Sequence, residues 1–260
     1  MTASDPATWL TWRPGTGLVP GPATTGAPAL AVADSWLVDS GRVRGLDRHR
    51  ARFTAACAAE GRDTGAFWAA AVAALPRTGA WFPRAELHRD GTLGLRLRPA
   101  PPRGTTIRVL PWAGPDPRRA PRVKGPDLDR LGEVRSRALA AGADDALLTT
   151  DGGVLLESAT ATLLWWQDEG LCTPDPALRL LPGVTLALVR DLADAAGVPV
   201  RHRRARLADL AGREAWLVNA LHGIRPVTEW TGTGLPPGPA RHAAEWRRRL
   251  DALARPLDDR

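Results

Sequence analysis

A stretch rich in proline and glycine, from Pro99 to Pro126, most constrains the fold of this chain. Proline lacks a backbone donor and glycine favours turns, so helices and long strands are not expected there. One strand-like run, Thr105–Trp112, interrupts the stretch. We therefore expect the stretch to be the crossing between two lobes, for which a chain of 260 residues is long enough.

Apolar residues recur with helical and strand periods on both sides of this crossing. Before it, the pattern predicts a strand at 29–38, helices at 47–60 and 64–75, and a hairpin at 87–97. After it, the pattern predicts helices at 127–141, 186–196 and 241–253, hairpins at 146–157 and 161–174, and strands at 198–204 and 215–221. Helices and hairpins mixed in this way predict an α+β fold.

The predicted domain boundaries follow from the same pattern. Residues 1–28 are rich in proline, glycine and threonine and are expected to form a loosely structured lead-in, with a short strand near Trp9–Trp12. Residues 29–112 are expected to form a smaller N-terminal lobe, 113–123 the connection, and 124–260 a larger lobe.

The composition is typical of a soluble globular protein, with 44% hydrophobic and 24% charged residues. No apolar run approaches the roughly 18 residues of a membrane helix, and the first residues lack a secretory pattern, so we expect a cytoplasmic protein. Two cysteines, Cys57 and Cys172, are too few for a disulfide framework or a zinc cluster, and no metal is expected.

The net charge of +7 raises the question of nucleic-acid binding. The arginines are scattered among acidic residues, and no known nucleic-acid-binding motif accompanies the denser runs at 201–206 and 247–249. We therefore favour a solvated basic face. A non-catalytic basic binding protein remains a minor alternative.

Lys124 is the only lysine among 35 Lys+Arg residues. Arginine can replace a lysine that supplies only charge, but it cannot replace one that attacks a carbonyl to form a Schiff base. The residue alone leaves two interpretations open: a catalytic amine, or a chance survivor on a solvated loop.

Five short segments of the chain are each weak evidence alone but are informative together, through their order and spacing. They are RHRARF (48–53), RVKGPDL (122–128), GADDALLTTDGGVLLESATATLLWW (142–166), LLPGVT (180–185) and VNALHGIRPV (218–227). Together they resemble the class IV aminotransferase family, the fold-type IV pyridoxal-phosphate enzymes that include branched-chain and D-amino-acid aminotransferases and aminodeoxychorismate lyases. The resemblance implies a two-lobed fold, with a smaller N-terminal α/β lobe and a larger, cofactor-binding, mixed β-barrel-like lobe with helices.

The resemblance implies catalytic roles for Lys124 and Glu157. In the family, a lysine at the position of Lys124 holds pyridoxal 5'-phosphate as an aldimine, and the freed amine then moves a proton at the substrate Cα. Glu157 matches the carboxylate that faces the pyridine nitrogen and favours the protonated ring. The alternative is a surface acid at the end of a strand, but an unpaired carboxylate would be poorly placed where an apolar strand ends.

The cofactor phosphate is expected to bind at two places. Arg52 follows His49 in an H-x-x-R pattern that matches the phosphate-binding arginine of the family, although it could also be a solvated helix residue. Gly183, Val184 and Thr185 open a predicted helix, where free N–H groups and the helix dipole favour an anion. An ordinary N-cap at Thr185 is the competing interpretation, and the two are compatible.

The remaining candidates concern the cofactor surroundings and the substrate. Asn219 and Ala220 lie in an Asn-Ala-Leu triplet that resembles the lyase branch, and Ser35 matches a small hydroxyl residue facing the substrate in lyases. A turn-forming Asn and a Ser at a strand bend are the simpler alternatives. Arg98 and Arg103 are candidate carboxylate clamps, with surface arginines as the alternative.

The chain also departs from the family pattern. Thr162 stands where an asparagine is common, and the chain has no tyrosine. We expect an enzyme acting on the amino group of an amino-acid-like substrate, most simply a transaminase, with a homodimer implied by the resemblance. The alternative is aminodeoxychorismate lyase, which releases pyruvate and 4-aminobenzoate.

Overall fold

The computed structural model describes residues 7–21 and 29–257. Within them the chain forms two compact units. The first unit contains the residues up to Arg103, the short segment Val123–Pro126 and the chain end from Leu253. The second unit contains Gly104–Arg122 and Asp127–Ala252.

The first unit is built on an antiparallel five-stranded sheet. Its strand order is β2-β1-β8-β7-β3, with β1 at Thr8–Arg13, β2 at Gly17–Pro20, β3 at Leu30–Ser35, β7 at Arg84–His88 and β8 at Leu93–Leu97. A second, four-stranded sheet has the order β17-β5-β4-β6, with β4 at Val38–Asp39, β5 at Arg42–Arg44, β6 at Ala80–Trp81 and β17 at Ala254–Pro256.

Two helices cover one face of the five-stranded sheet, namely α1 at Leu46–Ala59 and α2 at Gly65–Ala73. The buried residues of α1 recur every three or four positions, and Phe53 and Cys57 are completely buried. The ring centroid of Phe53 lies 5.8 Å from that of Trp68 in α2. Because β3 contributes Val32 to the same core, α1 lies directly against the strand.

The second unit is built on a mixed eight-stranded sheet. Its order is β11-β10-β9-β16-β15-β12-β13-β14, with β9 at Ile107–Pro111, β10 at Asp145–Thr149, β11 at Leu155–Ser158, β12 at Thr162–Gln167, β13 at Gly170–Pro174, β14 at Val200–Arg203, β15 at Ala215–Asn219 and β16 at Gly223–Trp230. β9 is parallel to both of its neighbours, and β13 is parallel to β14.

The two outer strands of this sheet approach each other at one corner. The backbone N–H of Leu155, which begins β11, donates to the carbonyl of Ala205, just after β14, at 2.8 Å. A bridge between Val154 and Arg206 extends this pairing. The sheet is therefore curled, and apolar residues from almost every strand fill its interior, among them Val109, Leu147, Leu163, Cys172, Leu217 and Val227. This is the barrel-like arrangement expected from the sequence.

Three α-helices belong to the second unit: α3 at Leu128–Ala140, α4 at Val184–Ala195 and α5 at Ala243–Asp251. The buried carboxylate of Glu214 accepts backbone N–H bonds from Arg241, His242 and Ala243 at the start of α5. It also accepts the indole N–H of Trp216 at 2.8 Å. A carboxylate at this end satisfies free donors and interacts favourably with the helix dipole.

The predicted helices and hairpins are present, with ends shifted by a few residues. The domain boundaries differ from those predicted. β9 hydrogen-bonds within the second unit, so the N-terminal part of the first unit ends at Arg103 and not at residue 112. The predicted lead-in, as far as its residues are described, contains β1 and β2 of the five-stranded sheet. The chain end, expected in the larger lobe, adds β17 to the first unit.

Candidate active site

Lys124 lies in the four-residue segment that the first unit takes from the middle of the chain. The backbone N–H of Ala33 in β3 donates to the carbonyl of Lys124 at 2.7 Å. Gly125 has a φ of +133°, and a Cβ there would lie 2.8 Å from the nitrogen of Ala33. The main chain beside the lysine is therefore pressed against β3, while the Lys124 residue itself is half-buried.

Arg52 projects from α1 toward Asp34 of β3 in the same unit. Its Nε and Nη2 donate to the two carboxylate oxygens of Asp34, each at 2.8 Å. The Nδ1 of His49 lies 2.7 Å from the same carboxylate, and both Asp34 and His49 are fully buried. The predicted phosphate ligand thus also pairs with a buried carboxylate, a partner that sequence reasoning missed.

Burial and charge act in opposite directions on this group. Burial alone would raise the pKa of Asp34, but the charges of His49 and Arg52, with their hydrogen bonds, lower it to about 2. Burial lowers the pKa of His49, and the positive charges of Arg52 and Lys124 act in the same direction. Asp34 is therefore ionised at neutral pH, and Nδ1 of His49 is placed to donate to it.

The predicted substrate residues occupy different places in the first unit. Ser35 ends β3, is buried, and pairs with Arg84 of β7. Arg98 donates from Nε to the carbonyl of Phe82 at 2.7 Å, and burial lowers the pKa of Arg98 to about 10. Arg103 makes an ion pair with Asp39 at 3.0 Å, and both side chains are 45% exposed. An exposed pair of this kind is typical of a surface arginine.

Sequence reasoning also missed Glu86, a buried carboxylate of β7. Glu86 is fully buried and accepts from Arg84 at 2.5 Å and from Arg96 of β8 at 3.2 Å. The Nε2 of His88 lies 3.0 Å from its second oxygen. Burial would raise the pKa of Glu86, but its contacts with His88 and the arginines lower it. The alternation R-x-E-x-H in β7 was the available signal, since it places the three side chains on one face.

Glu157 lies in the buried strand β11 of the second unit and is itself buried. Its Oε1 accepts the backbone N–H of Leu181 at 2.9 Å and is in direct contact with Nη1 of Arg118. Burial would lower the pKa of Arg118, but Asp116 and Glu157 raise it, so the guanidinium stays charged. The interpretation of Glu157 as a surface acid is therefore wrong.

The start of α4 lies just beyond Leu181 in the chain. Gly183 precedes the helix in an extended conformation, and Val184 and Thr185 are buried. A Cβ at Gly183 would lie 2.6 Å from the hydroxyl of Thr162, so only glycine fits there without a shift. The helix begins two residues earlier than predicted, which makes Thr185 the second helical residue and not the N-cap. The first N–H groups of α4 have no partner within the helix.

Asn219 ends β15 and closes the turn that leads to β16. Its Oδ1 accepts the backbone N–H of His222 at 2.8 Å, and its Nδ2 donates to the carbonyl of Thr160 at 3.3 Å. This is the turn-forming bond that the sequence left open as the simpler alternative. The Thr160 hydroxyl lies 2.5 Å from the buried carboxylate of Asp145. Asn219 and Ala220 thus border the loop that follows Glu157.

The structure brings the candidate residues together in two groups. Lys124, Arg52 and Ser35 belong to the first unit, and Glu157, Asn219 and the start of α4 belong to the second. The donor set suits pyridoxal phosphate: one amine, one carboxylate for a ring nitrogen, and an N–H-rich helix start with a glycine that permits close approach. Among the described residues no helix is long and apolar enough to cross a membrane.

Residues 31–230 match the model of the amino-transferase class IV family. This region is more than half of the chain, and the protein therefore belongs to the class IV aminotransferase family, as its five segments predicted. It is an enzyme family that uses pyridoxal 5'-phosphate, so the predicted enzyme class and cofactor are confirmed. No curated protein matches the chain in sequence.

Solved structures confirm the predicted fold. The fold IV-transaminase CpuTA1 from Curtobacterium pusillum is 23% identical with a TM-score of 0.76, covering 95% of this chain and 97% of that one. A hypothetical aminotransferase from Mycobacterium tuberculosis, bound to alpha-ketoglutarate and PMP, is 21% identical with a TM-score of 0.78, covering 97% and 100%. A Legionella pneumophila protein described as a 4-amino-4-deoxychorismate lyase is 15% identical with a TM-score of 0.72, covering 88% and 97%.

Proposed function

We propose that the protein is a pyridoxal-phosphate-dependent transaminase that acts on an amino-acid-like substrate. The observation that carries the proposal is Lys124, the only lysine of the chain, whose backbone is held against β3 within the family-matched region. When bound, pyridoxal phosphate bonds covalently to an amine and withdraws electrons from the substrate carbon that bears the amino group.

The proposal assigns a role to the catalytic residues and to the phosphate ligands. Lys124 holds the cofactor and moves the proton at the substrate Cα. Glu157 offers a carboxylate to the ring nitrogen, for which its buried and hydrogen-bonded position is suited. Arg52 and the first turn of α4 bind the phosphate, with Thr185 as a further donor. Ser35, Arg98 and Arg103 remain candidates for substrate contact.

The Mycobacterium tuberculosis neighbour supports a transaminase over a lyase. Its structure holds alpha-ketoglutarate and PMP, a keto acid with the amine form of the cofactor. These are the partners of one half of a transamination. We propose the same type of reaction here, in a homodimer located in the cytoplasm, and both the dimer and the location remain predictions. The alternative function, aminodeoxychorismate lyase, is supported by the Asn219-Ala220-Leu221 triplet. Both functions are therefore tested in the same experiment.

The test combines cofactor mapping with substrate panels. Borohydride reduction of the purified holoenzyme, followed by peptide mapping, should place the cofactor on the peptide that contains Lys124, because no other side-chain amine exists. Lys124→Arg is the matched control: it keeps the charge but should lose the covalent adduct. Pairs of amino donors and keto acids should then give products. Release of 4-aminobenzoate from aminodeoxychorismate alone would instead establish the lyase, and a protein that takes up no cofactor would refute both.

A further inference from the structure

Arg118 is buried between two carboxylates of the second unit. Its Nε and Nη2 donate to the two oxygens of Asp116, each at 2.8 Å, and its Nη1 contacts Oε1 of Glu157. Nη2 also donates to the carbonyl of Arg179 at 3.0 Å. The side chain of Arg118 is only 3% exposed, so these contacts take place largely out of water. Charge-assisted bonds are strongest in such surroundings.

The loops on both sides of Arg118 are fixed by further bonds. The carboxylate of Asp127 accepts the backbone N–H of Arg119 at 3.0 Å and that of Ala120 at 2.8 Å. The side chain of Arg179 donates to the carbonyl of Arg119 at 2.9 Å, so the loops at residues 116–120 and 178–181 are bonded to each other. Arg118 is therefore held in place from its own backbone as well as through its side chain.

Asp116, Arg118 and Glu157 together carry one negative charge in excess, since two carboxylates share one guanidinium. The contacts of Arg118 and Leu181 both fall on Oε1 of Glu157. We propose that Arg118 is a positioning residue that keeps Glu157 ionised, so that the proton shared by Glu157 and the ring nitrogen of bound pyridoxal phosphate resides on the nitrogen. This inference rests on the proposed function of the site.

The reason is a competition for one proton. A buried carboxylate without a cation beside it tends to take up a proton, because burial disfavours its charged form. Arg118 touches Glu157 directly, and its positive charge therefore stabilises the ionised form of that carboxylate. A proton on the nitrogen makes the ring the stronger electron acceptor, which the proposed reaction needs. Arg118 acts only through Glu157.

The test uses holoenzyme loaded with pyridoxal phosphate that carries ¹⁵N in its ring. The ¹⁵N chemical shift reports directly whether the ring nitrogen is protonated, and it is followed as a function of pH. Arg118→Gln removes the charge, and Glu157→Gln provides the reference for a site without the carboxylate charge. Arg119→Gln is the matched control, because its side chain is exposed and its bonds to Asp127 come from the backbone.

We expect the pyridinium signal near neutral pH in wild type and Arg119→Gln, and its loss in both Arg118→Gln and Glu157→Gln. Arg118→Lys keeps a cation but cannot bond both carboxylates as a fork, so its ring nitrogen should lose the proton at a lower pH than in wild type. This second variant decides the matter if Arg118→Gln does not fold.

If the ring nitrogen titrates as in wild type in whichever of these two Arg118 variants folds, the inference is overturned. The proposed function would still stand in that case, because it depends on the cofactor adduct at Lys124. A wild-type protein without that adduct would overturn both.

Discussion

The ion pair between Asp34 and Arg52 makes a quantitative prediction for Asp34→Asn. The pKa of Asp34 falls from its ordinary 3.8 to about 2 in the folded protein. At about 1.4 kcal/mol per pKa unit, the ionised carboxylate stabilises the fold by about 2 kcal/mol at neutral pH. Because the folded pKa is the lower one, this stability is present above about pH 4 and is lost as the pH falls through 2, with about half remaining near pH 3.

The assay is urea unfolding of the apo protein at neutral pH and near pH 3. Asp34→Asn should lower the free energy of unfolding by about 2 kcal/mol at neutral pH and by about half as much near pH 3. Glu60→Gln is the control, because Glu60 is exposed at the end of the same helix, α1, and should change little. A loss of stability that is equal at both pH values would refute the assignment.

The same pair changes how the phosphate role of Arg52 has to be tested. Arg52→Gln leaves the buried carboxylate of Asp34 without its forked partner, which is expected to cost about 3–5 kcal/mol. Weaker cofactor binding in that variant could therefore reflect a damaged fold. The double variant Asp34→Asn/Arg52→Gln removes both charges, should recover part of the stability, and is the protein in which cofactor affinity is to be titrated.

Three further changes probe close approaches and a cap, each measured by urea unfolding of the apo protein. Gly125→Ala should lower the free energy of unfolding by at least about 2 kcal/mol, because the new Cβ meets the backbone of β3. Gly132→Ala is the control: it lies in open space on α3 and should raise that free energy by about 0.5–1 kcal/mol. Equal effects of the two changes would contradict the close approach at Gly125. Gly183→Ala should lower the free energy of unfolding by about 1–3 kcal/mol, because the new Cβ meets the hydroxyl of Thr162. The double variant with Thr162→Ala should recover part of this loss, and no recovery would exclude the clash. Glu214→Gln should lower the free energy of unfolding by about 1–2 kcal/mol, because it weakens the bonds to the N–H groups at the start of α5. An unchanged stability would show that this cap does not stabilise the fold.

The longer elements could be predicted because their periodicity is unambiguous. The hairpin around Gly91 has alternating leucines, and α1 buries residues at helical spacing. The two hairpins of the second unit are apolar runs joined by turns that contain glycine. The short strands β2, β4, β5, β6 and β17 were missed because so few residues show no clear period. β9 was assigned to the wrong unit since its partners, β10 and β16, are distant in sequence.

The candidate site was predictable where a residue type is rare or a motif is specific. Lys124 was found because the chain has no other lysine, and Glu157 because it lies within the family segment 142–166. Arg118 was missed because one arginine among so many carries no signal, and its partner Glu157 is 39 residues away. Asp34 was missed because a single carboxylate in an apolar run does not show which cation faces it.

The last strand of the chain has a consequence for how the protein is made. β17 pairs with β5, the N–H of Leu257 donates to the carbonyl of Gly41, and the side chain of Leu257 enters the core of the first unit. During synthesis, the first unit therefore stays incomplete until β17 has been made. Until then the edge of β5 is unpaired, which is the kind of exposed strand that recruits other chains. A protein that ends before β17 is in the same position permanently.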